Sequence, residues 1–145
     1  MQPLLRYSRL PHFPPAHVIH HIENGVSDLE NSLRFWTPFL RQLGYEESQR
    51  WAGGVSYRHG PAYLCFVQTA KEHLDAGFHR QRIGLNHLAF HGQSRAHVDQ
   101  LSRWVETAGV HTLYADRYPH AGGRDHYALY CEDPDRIKVE VVAPD

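Results

Sequence analysis

The second half of this 145-residue chain repeats the element order of the first, and that repeat limits the fold more than any other feature. In the first half, "AHVIHHIENGV" reads as a strand and "SDLENSLRFWTPFLRQLG" as a helix with Ser27 as N-cap and Gly44 as stop. Three short strand candidates follow, "YEESQRW", "GVSYRH" and "AYLCFVQ", separated by Gly53-Gly54 and Gly60-Pro61. In the second half, "IGLNHLAFHG" leads into the helix "SRAHVDQLSRWVETAG", with Val98, Leu101, Trp104 and Val105 on one stripe. The strand candidates "VHTLYA", "HYALYCE" and "IKVEVVA" come after it, the last two joined by the turn "DPDR". Each half reads β-α-β-β-β, so the expected fold is α+β. Pro38 inside the first helix predicts a kink or break.

Residues 1–16, with Pro3, Pro11, Pro14 and Pro15, read as an extended lead-in, and a single domain is expected over 17–145. Its first module spans about 17–69, a polar linker about 70–82, and its second module about 83–143. Fifteen basic and sixteen acidic residues are interspersed to a net charge of -1, which offers no footprint for nucleic acid or an anionic membrane. No run approaches the length of a membrane span, and the N-terminus lacks the apolar core of a signal peptide. The only cysteines, Cys65 and Cys131, lie far apart in apolar runs, which excludes a disulfide framework and points to a reducing cytoplasm. Thirteen histidines, spread through the chain, turn attention to metal or proton chemistry.

The repeat sorts those histidines. His21 and His87 occupy corresponding places in the two opening strands, 66 residues apart. With Ile22, Asn24 and Val26 facing a helix layer, His21 and Glu23 face the other way; with Leu88 and Phe90 facing the helix, so do His87 and His91. In the last strand, Val139 and Val141 take the helix side and leave Glu140 on the opposite face. A carboxylate among valines needs a partner there. Two imidazoles and one carboxylate converging from three strands are a donor set for Fe(II), Mn(II) or Zn(II). Tyr118, His120, Arg124, His126 and Tyr127, in and after the Gly-rich stretch "DRYPHAGGRDHYALY", are candidates to cover the mouth of such a site.

Three stretches, "HHIENGVSDLENSLRFW", "LNHLAFHGQSRAHVDQL" and "YCEDPDRIKVEVVAP", resemble the vicinal oxygen chelate superfamily, which includes glyoxalase I, extradiol dioxygenases, fosfomycin-resistance enzymes and bleomycin-resistance proteins. The resemblance covers about residues 17–143 and implies tandem βαβββ modules in a cupped, mixed eight-stranded sheet with helices outside. It places His21, His87 and Glu140 on the family's ligand positions for a divalent ion such as Fe, Mn, Zn or Ni. It also implies Lewis-acid activation of a small substrate with neighbouring oxygens, in a homodimer that pairs modules within or between chains. Two positions depart from the pattern. Arg136 replaces the glycine of the usual Asp-Pro-Asp-Gly turn, and no glutamate stands at the end of the first module, where Gln68, ahead of Cys65, is the candidate fourth ligand. Glu23, His126 and Tyr127 are candidates to move protons, and Tyr118, His120, Arg124 and His91 to contact substrate. The alternative function is a metal-free cup that sequesters a small molecule, as bleomycin-resistance proteins do.

Overall fold

The computed structural model describes residues 19–145, so the lead-in 1–16 and the expected domain start at His17 lie outside the described residues. Strand β1 (His21–Val26) is followed by helix α1 (Leu29–Gln42) and strands β2 (Glu46–Trp51), β3 (Gly54–His59) and β4 (Ala62–Gln68). A short 3-10 turn at Lys71–Ala76 occupies the linker. Strand β5 (His87–His91), helix α2 (Arg95–Thr107), a 3-10 turn at Ala115–Arg117, and strands β6 (Ala128–Glu132) and β7 (Lys138–Val142) complete the chain.

Period-two alternation makes β1: His21, Glu23 and Gly25 are exposed while Asn24 and Val26 are buried. Helix α1 begins one residue later than expected. Asp28 is its N-cap, accepting from the amide of Asn31 at 2.9 Å, because Ser27 is engaged elsewhere: its amide donates to Asp135 at 2.8 Å. The helix also runs unbroken through Pro38. Proline has no N–H to offer the carbonyl of Arg34, one turn back, and the loss lies on the exposed side of the helix, where Arg34 stands. Helix α2 starts on Ser94, whose hydroxyl accepts from the amide of His97.

The expectation of one eight-stranded sheet is not met by the described residues. Among the described residues seven strands form two sheets, ordered β1-β4-β3-β2 and β5-β7-β6. In each, the first strand runs parallel to the last, β1 to β4 and β5 to β7. The run "VHTLYA" makes only an isolated bridge from Thr112 to Cys131, because Tyr114 turns into a left-handed backbone (φ 58°) and leads into the 3-10 turn. Helix α1 packs on the buried face of the first sheet, away from the face that carries His21. Trp36 lies 4.7 Å from Phe66 of the first sheet and 6.4 Å from Phe90 of the second, ring centre to ring centre, and Phe39 reaches Trp104 of α2. One core therefore joins both modules through their helix sides. Burying each large side chain of this core contributes about 1.5–3 kcal/mol. The opposite faces of the two sheets carry His21 and His87.

Candidate metal centre

On the second sheet, strand register sets the chemistry. His87 pairs with Lys138 and Ala89 with Glu140 across β5 and β7, while Glu140 pairs with Tyr130 across β7 and β6. Paired residues point to the same side, so His87, Lys138, Glu140 and Tyr130 share the face away from the helices. Glu140 is 5% exposed. Its Oε2 lies 3.0 Å from His87 Nε2 and its Oε1 lies 2.5 Å from His126 Nε2. Asn86 Oδ1 accepts from His87 Nδ1 at 2.7 Å when that nitrogen carries the proton, fixing the ring; Nε2 donates to Glu140 while the imidazole is charged and would offer a lone pair to an ion on losing that proton. Burial pushes the Glu140 carboxyl upward, but hydrogen bonds from His126 and Tyr130 and the charges of His126 and His87 outweigh it, so the net shift is down. Glu140 is thus an ionised, buried carboxylate between two half-exposed imidazoles.

The first sheet presents a separate group. His21 stacks on Tyr63 at 4.7 Å with the rings 5° from parallel, and its Nδ1 lies 2.8 Å from that of His20. Glu23 is exposed and borders a cavity of about 290 Å³ with Asn24, Phe78, Ile83 and Ile137. Cys65, its register partner, is buried, and burial followed by the Glu23 charge pushes its thiol upward, away from the thiolate that binds metals. The Gln68 side chain braces α1: Oε1 accepts from the amide of Leu29 at 2.9 Å and Nε2 donates to the carbonyl of Ser27 at 2.8 Å.

The loop candidates divide. Tyr118 and Tyr127 both donate to Oδ1 of Asp99 on α2, at 2.5 and 2.6 Å, so their hydroxyls fasten the loop rather than face Glu140. His120 lies edge-on against Tyr127 at 5.6 Å. Arg124 is exposed, and His91 is exposed at the end of β5, opposite Val142. Only His126 of this group reaches the carboxylate. Sequence reasoning missed Tyr130 and Asp99. Tyr130 was open to inference, since a hairpin closed at Asp133–Arg136 brings it opposite Glu140; Asp99 left no local signal.

The structure brings His87, Glu140 and His126 together and leaves His21 on the other sheet. The two histidines approach opposite oxygens of Glu140, and among the described residues no group of three or more His, Cys, Asp or Glu is placed to hold a metal. The donors nevertheless fit part of a metal site. A spacing of 3.0 Å between His87 Nε2 and Glu140 Oε2 suits neighbouring ligands, each about 2.1 Å from a shared ion.

A βαβββ unit followed by a βαββ unit, each opened by a strand that pairs in parallel with its closing strand, is the arrangement of a glyoxalase-type protein. The chain belongs to the Glyoxalase/Bleomycin resistance protein/Dioxygenase superfamily, whose model matches residues 18–141. It is 54% identical over 126 residues to an uncharacterized protein, YqjT, of Bacillus subtilis (strain 168), covering 87% of this chain and 98% of that one. It is similar to the crystal structure of a Bacillus halodurans protein provisionally named a glyoxalase, with 53% identity, TM-score 0.87, and coverage of 88% of this chain and 96% of that one. A lactoylglutathione lyase from Agrobacterium tumefaciens shares the fold at 20% identity and TM-score 0.62, covering 90% and 96% of the two chains. No helix among the described residues is long and apolar enough to cross a membrane.

Proposed function

We propose that this protein is a metal-dependent enzyme acting on a small substrate with vicinal oxygens, at a site built from His87 and Glu140 of one copy and His21 of a second. The observation that carries the reading is the ionised Glu140, 5% exposed, bearing on His87 Nε2 at 3.0 Å. A buried carboxylate held ready with an adjacent imidazole is costly in a metal-free cup and useful to a divalent ion. When bound, that ion (Fe, Mn, Zn or Ni) supplies Lewis-acid activation of the substrate's oxygens. The Tyr130 hydroxyl, on the same face, helps hold the Glu140 carboxyl down, and Asn86 holds the His87 ring through Nδ1. His126 Nε2 holds the proton it shares with Glu140 Oε1, and is the group placed to pass it to or from a substrate atom on this face. Glu23 enters from the first module beside His21.

Assembly from two copies is supported by the separation of the halves. His21 rests on His20 and Tyr63 of its own sheet, while Ile83, Leu85 and Trp51 leave apolar surface exposed, as an unpaired protomer would. The test is elemental analysis of untagged protein after loading with zinc or manganese, together with its molar mass by light scattering. Close to one ion per chain in a dimer is expected, lost in His87→Ala and Glu140→Gln and weakened in His21→Ala. Undiminished metal in His87→Ala would remove the site, and no uptake under any loading would favour a metal-free sequestering protein.

A further inference from the structure

We infer that Lys138, with Arg117, Tyr114 and Tyr130, forms an anion subsite beside the metal position, so that the substrate carries a carboxylate or phosphate group. The inference rests on the metal-site reading for its neighbour but stands on different atoms. The chain has two lysines, Lys71 and Lys138, against thirteen arginines, and Lys138 is the one in the row next to Glu140 on the same face. Its half-buried ammonium lies 5.0 Å from the ring centre of Tyr130 and 5.2 Å from that of Tyr114, and among the described residues its only hydrogen-bond contact is the Tyr114 hydroxyl at 3.5 Å. Arg117 lies 4.9 Å from the same Tyr114 ring.

Two cations thus share one aromatic ring, and among the described residues neither has a carboxylate within salt-bridge distance. The nearest candidate in register, Glu132, is drawn off by Arg80 at 2.5 Å and Arg136 at 3.5 Å. Asp116, beside Arg117 in sequence, pairs with neither. Ring faces hold cations without neutralising them, so the pair keeps its appetite for an oxyanion. Tyr114 holds its ring there from a left-handed backbone, φ 58° and ψ 34°, a conformation costly for an aromatic residue. Adjacent same-face rows lie about 6.6 Å apart along a strand, so the anionic group sits a few bonds from the chelating oxygens.

Because there are two lysines, ¹³Cε-lysine labelling gives a spectrum with one signal for each. The metal-free dimer is titrated with inorganic phosphate and, separately, with lactate, with zinc uptake measured on the same preparation. A saturable shift of the Lys138 signal with Lys71 unmoved is expected for at least one anion, and the tighter of the two identifies the substrate's group. By calorimetry, Lys138→Gln weakens that binding at least tenfold with zinc uptake unchanged, and Lys138→Arg restores most of it. Equal, non-saturating shifts at both lysines overturn the subsite. So does a Lys138 signal that ignores both anions but moves when the dimer is diluted to monomer, since a partner carboxylate then covers it. Zinc uptake without anion binding defeats this inference alone; anion binding without zinc uptake defeats the metal reading and leaves the subsite standing.

Discussion

The indole Nε1 of Trp36 donates a 2.9 Å hydrogen bond to Oδ2 of Asp133, tying the first module's helix to the second module's closing turn across 97 residues. Oδ1 of the same carboxylate accepts from the amides of Asp135 and Ile137 at 2.9 and 2.8 Å. Burial, opposed by these donors, pushes the Asp133 carboxyl up to about 6. With the folded value above the unfolded one, protonation favours the fold: the linked stability is present below the unfolded pKa and is lost as pH rises through about 6. Asp133→Asn keeps one acceptor and turns an amide donor toward the indole or the backbone amides, at a cost of about 2 kcal/mol near neutrality. The wild type should gain roughly 1 kcal/mol over the variant between pH 7 and pH 5. Urea denaturation of both proteins at the two pH values checks this, and a gap independent of pH would contradict it.

Gln68 is the sequence candidate for a fourth ligand, yet its amide closes the start of α1 against the end of β4. Gln68→Met removes the acceptor for the Leu29 amide and the donor to Ser27 at an exposed position, costing about 1 kcal/mol. Stability should fall while zinc content stays constant. Loss of zinc without loss of stability would restore Gln68 as a ligand.

Local chemistry made part of this molecule legible and long-range partners hid the rest. Alternation in "HIENGV" and "HLAFH" correctly separated His21 and His87 from the core faces, because a strand's period is a property of the backbone alone. Ser27 and Asp28 were equally good caps by type; what decided between them was Asp135, 108 residues away, taking the Ser27 hydroxyl and amide. "VHTLYA" has strand composition, but Tyr114 leaves the extended region to reach Lys138 and Tyr130, a contact with no local signature. His126 looked like one of several loop residues until Asp99 had fastened Tyr118 and Tyr127, which leaves it the loop group against Glu140.

Arg136 stands where the resembling family places glycine, and the turn keeps its left-handed conformation regardless, with φ 68°. An L-residue pays about 1–2 kcal/mol there. Its side chain returns little, since the contact to Glu132 is 3.5 Å and the arginine side chain is 73% exposed. Arg136→Gly should therefore raise stability by about 0.5–1 kcal/mol after the greater freedom of glycine in the unfolded chain is counted. Thermal unfolding measures it, and a lowered midpoint would show that the Arg136–Glu132 contact outweighs the strain.

Gly122 sits against the site itself. A methyl carbon built there would lie 2.5 Å from Cδ2 of His126 and 2.7 Å from the hydroxyl of Tyr130, closer than real carbons approach. Both neighbours bear on Glu140, so Gly122→Ala must displace the imidazole, the tyrosine or the loop. Gly122 is exposed and its backbone is not left-handed, which confines the damage to these contacts, and the cost to global stability should be about 1 kcal/mol. Gly53→Ala is the control: nothing lies within 4 Å of its added carbon, and it should be neutral. The readout is the His126 Nε2 proton in metal-free protein. Held 2.5 Å from Glu140 Oε1, it resonates far downfield in the wild type and in Gly53→Ala, and should move upfield or exchange away in Gly122→Ala. An unchanged resonance in Gly122→Ala would mean that the loop yields without releasing His126, and that the glycine is not what seats the histidine on the carboxylate.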